Sequence, residues 1–118
     1  MDLRVQQALR LISEDVRRPL VLEETARAVN LSAPHLRYLF KAETGMTPAQ
    51  HLKLLRMERA KELLEETFLT VKQIMFQVGI TDKCYFARAF RQQYGLPPAE
   101  YRKRYRRQLQ SIPKLSKV

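Results

Sequence analysis

Tryptophan is absent from the 118 residues, cysteine occurs once, histidine twice and glycine three times. One cysteine excludes an internal disulfide and fits a reducing cytosol. Three scattered glycines leave no glycine-rich loop to cradle a phosphate. His35, His51 and Cys84 are the soft metal ligands, and they stand at no metal-site spacing. No apolar run is long enough to cross a bilayer, and the start, MDLRVQQALR, is not a signal peptide. Paired carboxylates such as Glu65 and Glu66 fall on a polar helical stretch without an evident pocket. The expectation is therefore a chain that is not an enzyme and needs no metal or cofactor. Alternating strand patterns are missing too, while apolar residues recur with helical period, so the fold class reads as all-α.

What the sequence has in excess is positive charge. The formal net charge is +10. Seven Lys or Arg and no acid follow Tyr101, which leaves +3 for residues 1–101. Such an excess suits a polyanion, either nucleic acid or an anionic membrane; a solubilising tail is the plainer reading of the same residues.

The strongest signal lies in residues 70–101, TVKQIMFQVGITDKCYFARAFRQQYGLPPAEY. Val71, Ile74, Met75 and Val78 form one helical face, and Gly79 follows where a helix ends by turning into the left-handed region. Thr81 or Asp82 then caps a helix carrying Tyr85, Phe86, Ala89, Phe90 and Tyr94, which Gly95 stops. Helix, tight corner, helix is a helix-turn-helix. The pattern also occurs earlier. Leu22, Ala26, Val29, Asn30, Leu31, Ser32 and Phe40 answer Val71, Met75, Val78, Gly79, Ile80, Thr81 and Phe90, and Gly45, Pro48 and Ala49 answer Gly95, Pro98 and Ala99. The offset changes from 49 to 50 between Val29 and Gly45, so the second corner carries one extra residue.

Along the chain, a first helix is expected from Asp2 to about Arg17 with Leu3, Ala8, Leu11, Ile12 and Val16 inward, and a second over Leu20–Val29. Asn30 takes the corner, because Asn tolerates left-handed geometry. Ser32 caps the third helix, Pro34 sits in its first turn, and Leu36, Leu39 and Phe40 point inward. A longer helix, about 48–66, follows with Ala49, Leu52, Leu55, Ala60, Leu63 and Leu64 buried and Arg56 on its solvated face. His35 reads as a partly packed helix residue, and Cys84 as a small half-buried one, although its place beside Lys83 at a helix start also suits a reactive thiol.

These residues resemble the DNA-binding domain of the AraC/XylS family of bacterial transcription regulators. The family motif, close to I-A-x-x-V-G-F-x-[DS]-x-S-Y-F-x-R-x-F-[KR]-x-x-x-G-x-[ST]-P-x-x-Y-R, is met by Ile74, Val78, Gly79, Asp82, Tyr85, Phe86, Arg88, Phe90, Arg91, Gly95, Pro98, Tyr101 and Arg102. The first half matches in Ser32, His35, Leu36, Leu39, Phe40, Lys41, Gly45, Met46, Thr47, Pro48, Arg56 and Ala60. Three positions depart: Met75 stands for the usual Ala, Ile80 for Phe and Cys84 for Ser.

The resemblance implies about seven helices and two helix-turn-helix subdomains, about 20–45 and 70–95, joined by the 48–66 helix. The domain would occupy residues 1–108, with 109–118 a basic flexible tail. It also implies that the third and sixth helices read successive major grooves of an asymmetric site. Base reading would then fall to Pro34, Arg37, Tyr38, Lys83, Cys84, Tyr85, Ala87 and Arg88, with Arg37 and Arg88 as the bidentate readers of guanine. Phosphates would be met by Ser32, Lys41, Thr81, Asp82, Arg91 and Arg102. The implied partners are double-stranded DNA and RNA polymerase, in the bacterial cytoplasm and its nucleoid, with no membrane. One chain per site is expected unless an N-terminal domain outside this sequence dimerises. Met1 directly before a helix fits a whole short regulator and equally the C-terminal domain of a longer one. The alternative from another class is a basic interaction module that docks an acidic protein or anionic surface.

Overall fold

A computed structural model describes residues 1–111. Among them it shows seven helices and no strand: α1 (Leu3–Glu14), α2 (Leu22–Ala28), α3 (Ala33–Thr44), α4 (Pro48–Glu66), α5 (Val71–Gln77), α6 (Lys83–Tyr94) and α7 (Pro98–Ser111). The chain forms two compact units, Met1–Arg56 and Met57–Val118, with α4 running through the boundary as one helix of 19 residues.

In the first unit, Asp2 caps α1 by accepting from Arg4 N–H at 2.8 Å. Val5, Ala8 and Ile12 are the buried face. Leu3 and Leu11, expected inward, are 65% and 40% exposed. α1 carries apolar residues on more than one side, and the stripe that meets α2 and α3 at i, i+3 and i+7 is the one with the small Ala8 at its middle. The helix ends at Glu14, before the expected Arg17, because Asp15 is already extended. α2 starts two residues later than expected and buries Ala26; α3 buries Leu36 and Phe40. Leu52 from α4 closes this core, whereas Ala49 is exposed. Arg56, expected in solvent, instead donates from Nε to the Val16 carbonyl at 2.7 Å and from Nη2 to the Arg18 carbonyl at 3.2 Å. Those bonds tie the loop between α1 and α2 to α4.

In the second unit, Met57, Ala60, Leu63 and Leu64 of α4 meet Ile74, Met75, Val78, Ile80, Phe86, Ala89 and Phe90. Thr70 opens α5 with a reciprocal capping box: its hydroxyl accepts from Gln73 N–H at 3.1 Å while Gln73 Oε1 accepts from Thr70 N–H at 2.8 Å. α7 then packs back on α6 through its Tyr101 ring, which lies 5.4 Å from Phe90, edge-on, and 6.0 Å from Tyr94. The Tyr101 hydroxyl donates to Glu65, which Lys61 also meets at 3.2 Å. Burial first, and then that carboxylate, push the Tyr101 phenol far above its usual range. α7 runs to Ser111, slightly past the expected end; the rest of the expected tail, residues 112–118, lies outside the described residues.

The repeat is larger than two helix-turn-helices. Val5, Ala8 and Ile12 on α1 have the same spacing as Met57, Ala60 and Leu64 on α4, and both sets are buried. Arg56 reaches the loop before α2, and Arg106, 50 residues on, reaches the loop before α5 by donating to the Thr67 carbonyl at 3.3 Å. Each unit is thus a support helix, a helix-turn-helix and a following helix whose arginine ties the first loop down.

Candidate nucleic-acid interface

Both corners are built alike. Asn30 (φ 61°) and Gly79 (φ 75°) adopt the left-handed conformation that turns the chain after α2 and α5. Leu31 N–H donates to the Ala26 carbonyl at 2.9 Å and Asn30 N–H to Arg27 at 3.1 Å; Ile80 donates to Met75 at 3.0 Å and Gly79 to Phe76 at 3.3 Å. This is the paired bond of a Schellman motif, in which the residue after the left-handed one folds back on the third-last helical residue. In the second unit those two residues are Ile80 and Met75, both buried in one cluster. Two of the three departures from the family pattern are therefore joined by a backbone bond and buried in the same cluster.

Ser32 and Asp82 then start α3 and α6. The Ser32 hydroxyl accepts from His35 N–H at 3.3 Å and the Asp82 carboxylate from Tyr85 N–H at 3.1 Å. Asp82, not Thr81, is the counterpart of Ser32, so Thr81 is the extra residue of the second corner. From cap to end the two helices have the same 12-residue length, and both stop at a left-handed glycine, Gly45 or Gly95.

Their buried faces are Leu36 and Phe40 on α3, and Phe86, Ala89 and Phe90 on α6. Opposite these lies a stripe at i, i+3, i+4 and i+7: Pro34, Arg37, Tyr38 and Lys41 on α3, all exposed, with Tyr38 71% so. On α6 the same positions hold Cys84, Ala87, Arg88 and Arg91, of which Ala87 is half-buried and the others exposed. Lys83 and Tyr85 flank that stripe and are also exposed. The structure thus gathers the expected base-reading residues on one outward face per unit. It also aligns Arg37 with Ala87 and Arg88 with Tyr38, so the two arginines stand one step, about 100°, apart around their equivalent helices.

Arg37, Lys41, Lys83, Arg88 and Arg91 enter none of the ion pairs among the described residues, which join Arg4 to Asp2, Arg18 to Glu24, Arg59 to Glu62 and Lys61 to Glu65. Both stripes therefore present uncompensated positive charge. His35, expected to be partly packed, is exposed, and so is Cys84. By the 50-residue offset His35 is the counterpart of Tyr85, and both are exposed.

Two expected phosphate ligands are placed otherwise. Asp82 spends its carboxylate on the cap, and a negative group there repels a phosphate. Arg102 is half-buried, and its guanidinium donates to the carbonyls of Leu64 (3.1 Å), Leu69, Thr67 (3.3 Å) and Leu63 (3.4 Å). It caps the C-terminal end of α4, whose last carbonyls lack helical partners. Burial, and after it the neighbouring Arg106, lower its proton affinity. Ser32, Thr81, Lys41 and Arg91 are exposed. No group of three metal-ligating side chains occurs among the described residues, and none of their helices is long and apolar enough to cross a membrane.

A family model described as a helix-turn-helix domain matches residues 25–104. The lactose operon transcription activator of Staphylococcus xylosus is 32% identical over 98 residues, which cover 83% of this chain and 35% of that protein. The chain thus spans about a third of the length of the curated relatives it matches. Among solved structures, the C-terminal domain of AraT, a response regulator from Geobacillus stearothermophilus, is 33% identical with a TM-score of 0.79, covering 87% of this chain and 86% of that one. The DNA-binding domain of AdpA, a global transcriptional factor solved in complex with a target DNA, is 25% identical with a TM-score of 0.84, covering 92% and 98%. Two similarly built units, each a helix-turn-helix with a capped second helix, matched over most of the chain by these proteins, place it in the AraC family as an AraC-type helix-turn-helix DNA-binding domain.

Proposed function

We propose that this domain regulates transcription by laying α3 and α6 into successive major grooves of one asymmetric site. The observation that carries the reading is the pair of outward stripes, equivalent in position and different in chemistry, on two 12-residue helices. Arg37 and Arg88 have the fork geometry for guanine O6 and N7, and Lys83 reaches the same acceptors singly. Tyr38, Tyr85, Pro34, Ala87 and Cys84 supply shape and apolar contact beside them. Lys41, Arg91, Ser32 and Thr81 meet phosphates and set register without reading sequence. RNA polymerase is the protein partner that such a bound regulator would engage.

Selection of bound sequences from a random duplex pool tests this directly. A site of two unlike elements about 10–10.5 base pairs apart, bound by one chain, is expected. Inserting about five base pairs between the elements turns them to opposite faces and should abolish simultaneous contact. A perfect palindrome bound by two chains, or full affinity after the half-turn insertion, would overturn the reading. Equal binding to every polyanion would favour a basic docking module instead.

A further inference from the structure

The basic residues of α7 sort by face. Arg102 and Arg106 turn toward the loop before α5, the latter with its guanidinium carbon 4.9 Å from the Phe68 ring centre. Lys103, Arg104 and Arg107 are exposed, share one stripe at i, i+1 and i+4, and take no ion pair among the described residues. Within α7, Glu100 stands three and four residues before Lys103 and Arg104, but Arg107 meets only like charge at i,i+3 and i,i+4, which destabilises a helix. The three line a shallow depression with Leu96 and Glu100, directly after the glycine that ends α6. Charge is also divided unequally. Residues 57–118 hold thirteen Lys or Arg against six acids, +7, whereas residues 1–56 hold nine against six, +3.

We infer that Lys103, Arg104 and Arg107 form a sequence-neutral contact with the DNA backbone beside the groove that α6 enters, so that the second unit anchors the complex. This rests on the reading of α6 given above. A polyanion fits the stripe because it is wholly cationic but for Glu100, and because α7 leaves α6 through a single turn. Each phosphate neutralised releases counterions and steepens the salt dependence by about 0.9 in the log–log slope.

The test uses the full chain, a selected site and a scrambled duplex of equal length, titrated between 50 and 200 mM salt. The triple variant Lys103→Gln, Arg104→Gln, Arg107→Gln should lose about 2.7 from the slope. The wild type should then lose about 40-fold more affinity than the variant across that range. Weakening should be equal on both duplexes, and the charge-retaining triple Lys103→Arg, Arg104→Lys, Arg107→Lys should behave as the wild type. Single Gln variants should each remove about 0.9, which keeps the test intact if the triple loses helix content. A slope unchanged to within about 0.5 would overturn the contact and point to an acidic protein surface as the occupant. Weakening confined to the selected site would overturn its neutrality. Failure of the wild type to prefer the selected site would sink the base-reading proposal instead, while the slope on scrambled duplex still decides the stripe.

Discussion

Arg102→Gln separates two roles that the same arginine could play. In the structure its guanidinium meets carbonyls at the end of α4 and in the loop that follows it. Nε to Leu64 at 3.1 Å and Nη1 to Leu69 are firm, whereas Nη2 is divided between Thr67 at 3.3 Å and Leu63 at 3.4 Å and adds little. Two firm charge-assisted bonds contribute about 1.5–3 kcal/mol each. Half-burial lets water replace part of this, so the expected loss is about 2–4 kcal/mol, well above that of an ordinary surface change. Gln keeps two donors but lacks the reach to span the same carbonyls. Urea unfolding followed by helical circular dichroism measures the loss, and a salt titration of DNA binding on the folded variant measures the other role. A cap predicts lower stability with an unchanged slope. Stability within about 0.5 kcal/mol of the wild type, together with a slope reduced by about 0.9, would refute the cap and return Arg102 to a phosphate.

Arg88→Ala should relax discrimination at one base pair and cost about 1–3 kcal/mol there, and Arg37→Ala should do the same at a different base pair; uniform weakening across a panel of single-substitution sites would demote either to a phosphate contact. Met75→Ala opens a cavity and Ile80→Phe overpacks, each costing about 1–3 kcal/mol, but because both residues are buried in one cluster and joined by a backbone bond across the corner the double variant should cost less than the sum, and strict additivity in denaturant melts would mean that they share no space. The Asp2 carboxyl, held at about 2 first by its bond from the Arg4 side chain, should show that midpoint in a carbon-detected NMR titration, and Arg4→Ala should return it toward 3.8. Because the folded value is depressed, the stabilisation from Asp2 is present above pH 4 and is lost as pH falls through about 2; Asp2→Asn should remove that pH dependence from the first unit, whose Asp2 N–H also donates to Glu43 at 2.9 Å.

What the sequence determined by itself is everything set within four or five residues. Ser32, Thr70 and Asp82 begin helices because a short polar side chain reaches the N–H groups just ahead of it. Asn30 and Gly79 turn the corners because few other residues accept a positive φ. The outward placement of Arg37 and Arg88 follows from the periodicity of Leu36 with Phe40 and of Phe86 with Phe90. Tertiary structure decided what depends on partners far along the chain. α1 has enough apolar residues for more than one face, and only packing selected Val5, Ala8 and Ile12 over Leu3 and Leu11. Arginine in a basic stretch carries no local sign of whether it will meet a phosphate or a carbonyl. Arg56 and Arg102 found carbonyls 33 to 40 residues away, because folding brought loop carbonyls and the end of α4 within reach of their forks. Lys103, Arg104 and Arg107, from the same basic run as Arg102, were left in solvent by the turn of one helix.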